Sequence, residues 1–255
     1  MTEIQIRHLR TIEEFQRCVE LEREVWALGD IDLVPATIFS VAVLTGGQVF
    51  AAAEPGGRMI GFTMSVAGMR DGRGYLHSHM TAVAPEYQNK GIGRQLKLFQ
   101  RDDALSRGIS LVEWTFDPLE TRNAYFNMVR LGAIVRRYIP DFYGRTTSPL
   151  HAGLPTDRLL CEWVLGSRRV QRILSGENSP AAALEGAERI HIPAAIRELR
   201  HSNVTEAELI QTAARERFQT LFAQNYAVVA VDIQPAGADY VLVPWAQIEG
   251  DLHED

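Results

Sequence analysis

The amino-acid sequence predicts an α/β fold of the α+β kind: a mixed, mostly antiparallel twisted sheet flanked by helices, followed by a small C-terminal α/β appendage. Three observations carry that expectation. Three strand-like runs follow one another between glycine-rich turns, a Gln-x-x-Gly-x-Gly loop leads into an amphipathic helical stretch, and a strand, a helix and a further strand pair come after it. With 255 residues, 46% hydrophobic and 23% charged, the chain can bury the core of one large domain or two small ones.

Thr11-Ile-Glu-Glu14 fits a capping box, in which the Thr hydroxyl and the Glu carboxylate satisfy each other's backbone donors. Ile12, Phe15, Val19 and Trp26 then fall near helical spacing, which predicts a helix over 12–26. Pro35 opens a second helix that stops at Gly46-Gly47. Strands at Gln48–Ala53 and Met59–Met69 are joined by Glu-Pro-Gly-Gly, and Asp71-Gly-Arg-Gly74 turns the chain into Tyr75–Val83, so an antiparallel meander is expected. Beyond Gln88-Asn-Lys-Gly-Ile-Gly93, the side chains of Ile92, Leu96, Phe99 and Leu105 share one helical face, and Gly108 ends that helix. Ile109–Phe116 reads as a strand and 119–131 as a helix closed by Gly132. Ala133–Tyr143 and Leu159–Leu165 read as a closing strand pair separated by a Pro/Gly-rich loop.

Residues 175–187 read as a linker, so the expected plan is a main domain over 1–166, a join over 167–187 and an appendage over 188–255. The appendage offers a strand at Arg189–Ile192, a helix over 204–223 and strands at Tyr226–Ile233 and Tyr240–Val243. It carries no chemical motif and reads as a lid or a dimerisation element, which leaves a homodimer open.

Composition narrows the classes. Twenty-six basic against 32 acidic residues give a net charge of −6, so the overall field does not favour nucleic acid. No apolar run approaches the ~20 residues a membrane helix needs. MTEIQIRHLR, the first ten residues, lacks the apolar stretch of a signal peptide, and a cytoplasmic protein is expected. Cys18 and Cys161 stand far apart, outside any metal-ligand spacing, and read as reduced structural thiols.

The informative segment runs from Tyr75 to Arg107. Glycines 91 and 93 let successive N–H groups converge at a helix N-terminus, where unpaired donors and the helix dipole make an anion site. Lys90 and Arg94 add positive charge. The dinucleotide fingerprint is incomplete past Gly93, and no Gly-x-x-x-x-Gly-Lys-Ser/Thr run occurs. Plain turn chemistry remains the bland alternative.

Residues 83–96, Val-Ala-Pro-Glu-Tyr-Gln-Asn-Lys-Gly-Ile-Gly-Arg-Gln-Leu, closely resemble the coenzyme A loop of the GNAT superfamily. The family pattern, Gln/Arg-x-x-Gly-x-Gly/Ala after a strand ending in Val-x-Pro, is matched by Gln88, Gly91 and Gly93 with Val83 and Pro85 in register. The resemblance covers roughly residues 3–166 and includes a branch of bacterial GNAT proteins with an appended C-terminal region. It implies the GNAT fold and an acetyl-CoA or other acyl-CoA co-substrate. The backbones of Ala82 and Val83 would then pair with the pantetheine arm, and Gln88, Asn89, Lys90, Gly91, Ile92, Gly93 and Arg94 would hold the diphosphate. The thioester would lie where this strand splays from Ile109–Phe116.

Acyl transfer to an amine needs a base for the ammonium proton and an acid for the leaving thiolate. Alternation along one strand puts His77 and His79 on the same sheet face, and histidine titrates near neutrality. His77-Ser-His-Met-Thr-Ala-Val83 resembles the His-Leu-His-Ala-Leu-Ala-Val of serotonin N-acetyltransferases, and position 77 corresponds to the glutamate base of GNAT histone acetyltransferases. A structural histidine pair is the competing reading. No third ligand stands near, so no metal is expected.

Many GNAT enzymes carry an acidic Tyr four residues before the Gly of Tyr-x-x-Leu-Gly; that slot here is Met128, and Tyr125 or Tyr143 would have to substitute. Asp117 follows the strand that should border the thioester, and could bind the amine or start a helix; Asn123 and Asn127, four apart on a helix, could line the cleft or be solvated. The expected function is acyl transfer, acetyl by default, to a small amine or amino acid. A catalytically silent acyl-CoA sensor and a protein-lysine acetyltransferase are the alternatives.

Overall fold

The computed structural model describes residues 4–144, 152–177 and 185–253. They form two compact units, one running to Glu113 and the other beginning at Trp114. Residues 145–151, in the loop expected between the closing strands, and 178–184, in the expected linker, lie outside the described residues.

The first unit comprises β1 (Gln5–His8), α1 (Ile12–Trp26), α2 (Ala36–Leu44), β2 (Gln48–Ala53), β3 (Met59–Arg70), β4 (Arg73–Val83), α3 (Ile92–Ser106) and β5 (Leu111–Phe116), which enters the second unit at Trp114. The strands lie in the order β1-β2-β3-β4-β5; β1 to β4 pair antiparallel and β4 pairs parallel with β5. The meander is therefore as the turns predict. The four residues of β1, an edge strand, are too few to give a strand signal of their own.

Both halves of the capping box at α1 form: the Glu14 N–H donates to Thr11 Oγ1 at 3.4 Å and the Thr11 N–H to the Glu14 carboxylate at 3.1 Å. The helix then buries Phe15, Cys18 and Leu21 with Phe39 and Ala42 of α2 and Phe62 and Met64 of β3. Each such large side chain contributes about 1.5–3 kcal/mol. After α2 only glycine fits at Gly47, where a Cβ would stand 2.2 Å from the Ser65 carbonyl oxygen. On the other sheet face Phe50, Ala52 and Ile60 receive Ile92 and Leu96 of α3. That packing fixes the start of α3 beside the end of β4.

The second unit takes Trp114–Phe116 of β5, then α4 (Thr121–Tyr125), β6 (Ile134–Ile139), β7 (Arg158–Val164), α5 (Arg168–Ser175), β8 (Glu188–Pro193), α6 (Ile196–Ser202), α7 (Val204–Ala223), β9 (Tyr226–Gln234) and β10 (Gly237–Pro244). Its strands run β7-β6-β9-β10-β8, all antiparallel. Phe218 of α7 packs against Tyr138 and Tyr240, and the buried Tyr240 hydroxyl donates to the Pro118 carbonyl at 2.7 Å. The helix predicted over 119–131 is shorter and changes pitch. After α4 the chain widens over Phe126–Arg130 into a π-turn, closed by the Leu131 N–H on the Phe126 carbonyl. α5, within the expected join, begins at a Ser167 cap whose hydroxyl accepts the Val170 N–H.

Candidate functional site

At the end of β4 the ladder decides which backbone groups remain free. The Ala84 N–H bonds to the Ile60 carbonyl, and the register pairs Phe62 with Ala82 and Gly61 with Val83. Antiparallel pairs alternate between bonded and non-bonded, so Ala82 spends its backbone groups on β3 while those of Val83 face the open edge of β4. The Val83 carbonyl there accepts from Gln88 Nε2 at 3.0 Å, which ties the loop back onto the strand.

Asn89 (φ 59°) and Gly91 (φ 83°) both adopt left-handed backbone, and this curls the loop into the first turn of α3. The first helical bond is the Gln95 N–H on the Gly91 carbonyl, so the N–H groups of Ile92, Gly93 and Arg94 are the orphan donors of a helix start. A Cβ added at Gly91 or Gly93 would meet no protein atom within 4 Å. The space over both glycines is open toward those donors. Arg94 Nε is buried without a hydrogen-bond partner among the described residues, and Lys90 lies over the Tyr87 ring at 5.2 Å. Converging N–H groups, a helix N-terminus and an unpaired guanidinium Nε suit a phosphate-bearing ligand.

His77 and His79 lie further back on β4. The β3–β4 register slips between Met64↔Met80 and Ser65↔Ser78, which makes His79 the extra residue of a β-bulge. Strict alternation therefore fails along this strand: Ser78 meets Lys97 of α3 on one face, yet Met80, two residues on, packs with the α1–α2 core on the other. The two imidazoles still sense each other. Burial holds His77 below its ordinary value, the neighbouring His79 adds to this, Glu113 pulls the other way, and Lys97 and Arg70 push it down again. His79 keeps an exposed edge, and the protein packed around the rest of the ring lowers it too. Both rings are accordingly neutral near pH 7, as a proton acceptor must be.

Sequence reasoning missed the charged groups around this pair. Lys97, 4% exposed, donates to Ser78 Oγ at 3.1 Å and to Gln100 Oε1. Glu113, 1% exposed, takes both prongs of Arg70 at 2.6 and 2.8 Å and stands opposite His77 in the parallel ladder. Among the described residues that ladder consists of Leu76↔Val112 and His77↔Glu113. The one charged residue in β5 was the available signal.

The remaining candidates belong to the second unit. Asp117 is occupied: Oδ1 accepts the Leu119 N–H at 2.8 Å and Oδ2 meets Arg200 at 2.8 Å, while Arg200 also holds Glu120 at 2.7 Å. This is the helix-starting role. Tyr125 is half-buried at the end of α4, and Asn123 is exposed. The π-turn separates Asn123 from Asn127, which is buried with its Nδ2 unpaired among the described residues. Met128 is fully buried. The Tyr143 hydroxyl contacts Thr115 Oγ1 at 3.1 Å. Among the described residues no cluster could hold a metal ion, and no helix is long and apolar enough to cross a membrane.

The profile of the acetyltransferase (GNAT) family matches residues 10–128. No curated protein matches it in sequence. Among solved structures, the ribosomal-protein-S18-alanine N-acetyltransferase from Escherichia coli shares 16% identity at a TM-score of 0.51, over 64% of this chain and 94% of that one. A GNAT acetyltransferase from Streptococcus pneumoniae is 16% identical at a TM-score of 0.50, over 63% of this chain and 98% of that one. The NatC complex bound to Gag peptide and CoA contributes a chain 16% identical at a TM-score of 0.50, over 64% of this chain and 98% of that one. At such identities the likeness is one of fold.

Proposed function

We propose that the chain is an N-acyltransferase that passes an acyl group, acetyl by default, from coenzyme A directly to a small amine or amino acid. The observation that carries this reading is the set of orphan N–H groups at 92–94 beneath two open glycines, with an Arg94 Nε that has no partner among the described residues. These groups would hold the diphosphate, and the outward-facing Val83 backbone would align the pantetheine arm. His77, neutral near pH 7, takes the proton from the substrate ammonium, with His79 as its neighbour in the bulge. The freed nitrogen lone pair attacks the thioester carbonyl carbon, the C–N bond forms, the nitrogen releases its second proton to solvent, and the C–S bond breaks with its electron pair leaving on sulfur. Tyr125 is the first choice to protonate that thiolate, and Asn123 to contact the acceptor.

A silent acyl-CoA sensor is favoured by one observation, the thioether of Met128 in the slot that commonly holds the acid. Thiol release separates the two readings. The protein is given acetyl-CoA or succinyl-CoA with a panel of free amines, amino acids and peptides bearing a free α-amine or lysine. Turnover on free amines supports the proposal, and turnover confined to peptides replaces the small amine with a protein acceptor. Coenzyme A binding without turnover on any pair leaves the sensor.

A further inference from the structure

Strand β5 carries a carboxylate that its fold role does not require. Its neighbours Val112 and Trp114 are buried and apolar, whereas Glu113 is buried as an ion pair. Burying a carboxylate costs several kcal/mol unless a partner compensates it. Arg70 supplies that partner through a two-pronged contact, and its guanidinium lies 4.9 Å over the ring of Tyr75, two residues before His77. Cross-strand partners share a sheet face, so the His77↔Glu113 pairing brings imidazole and carboxylate to the same side. The pair forms the last described rung of the β4–β5 ladder.

We propose that Glu113, anchored by Arg70, is a positioning residue for His77: it orients the imidazole and stabilises the imidazolium formed when His77 takes the amine's proton. The inference rests on the reading of His77 as the base. Among the described residues, the charged and titratable groups acting on His77 are His79 on β4, Arg70 on β3, Glu113 on β5 and Lys97 on α3. Of these, Glu113 alone favours the protonated ring; His79, Lys97 and Arg70 oppose it. Proton transfer thus places the new positive charge beside a carboxylate already held in place, so little reorganisation accompanies the step. The proton later leaves His77 for solvent, which restores the neutral ring.

The opposed signs of Glu113 and Arg70 make the test. Histidine-labelled wild type, Glu113→Gln and Arg70→Gln proteins are titrated by NMR, and the pH profile of thiol release is recorded for each. Glu113→Gln removes the favourable charge, so the His77 titration moves down by about one pH unit. Arg70→Gln leaves the carboxylate uncompensated, so the titration moves up by a similar amount. The acid limb of kcat/KM follows in both, while coenzyme A affinity stays within about twofold of wild type. A His77 titration unmoved in both folded variants overturns the inference, even where the wild-type rate follows His77; the ion pair then only ties the β3–β4 hairpin to β5. A titration that moves as stated, with a rate limb that stays in place, overturns the base reading and with it the positioning role. Arg70 is half-exposed at the hairpin end, so its variant retains the fold and keeps the test available.

Discussion

Glu22 offers the sharpest test of how the first unit handles a buried charge. It lies on the inner face of α1 at 0% exposure, where one carboxylate oxygen accepts the Val34 N–H at 3.0 Å and Oε1 has no partner among the described residues. Burial raises its pKa from the ordinary 4.5 to about 7, and the Val34 bond only partly offsets this. The folded state therefore holds the proton more tightly than the unfolded chain. Glu22's contribution to stability is full below pH 4.5 and is lost as the pH rises through about 7. A separation of about two to three pH units at about 1.4 kcal/mol each gives a total of roughly 3 kcal/mol, most of which falls between pH 5 and pH 8. Glu22→Gln keeps an acceptor for Val34 but cannot ionise. Urea unfolding of wild type and variant at pH 5, 6, 7 and 8 should show the variant gaining roughly 2–3 kcal/mol relative to wild type across that range. Parallel stability curves for the two proteins would refute the reasoning, because no proton would then be bound differently at this site.

Other expectations follow from the candidate site. Gly93 has ordinary helical backbone and an open Cβ position, so Gly93→Glu should fold normally yet weaken coenzyme A binding about 100-fold or more by calorimetry. Gly91→Glu should do the same with some added backbone strain, since Gly91 sits at φ 83°. A His77→Ala, His79→Ala enzyme should lose about 100-fold or more in kcat/KM with little change in coenzyme A affinity. The wild-type rate should rise with pH through a value below the ordinary histidine pKa, since burial lowers both rings. Full activity of the double variant near neutral pH ends the base assignment. Tyr125→Phe should depress turnover and shift the alkaline limb without weakening substrate binding; an unchanged profile removes Tyr125 as the acid. Met128→Tyr should lower the melting temperature rather than raise the rate, because the fully buried site has no room for a ring and overpacking costs about 1–3 kcal/mol.

What the sequence determined by itself is local. Thr11 and Glu14 cap α1 because a capping box needs atoms only three residues apart, and the predicted helix over 12–26 is the observed one. The turns at 54–57 and 71–74 set the meander, and the glycines at 91 and 93 open the loop at the start of α3, because left-handed backbone and close approach are properties of single residues. Spacing even put Glu22 on the same helical face as Phe15 and Cys18; it could not supply Val34 as the partner. Tertiary structure decided the rest. The bulge at His79 breaks an alternation that the residue pattern alone implies, and the π-turn over 126–130 buries Asn127 away from Asn123 despite their helical spacing. Asp117 finds Arg200, and Glu113 finds both Arg70 and His77, only once distant segments meet. Backbone preference is written residue by residue, whereas the partner of a buried charge depends on which strand the chain lays beside it.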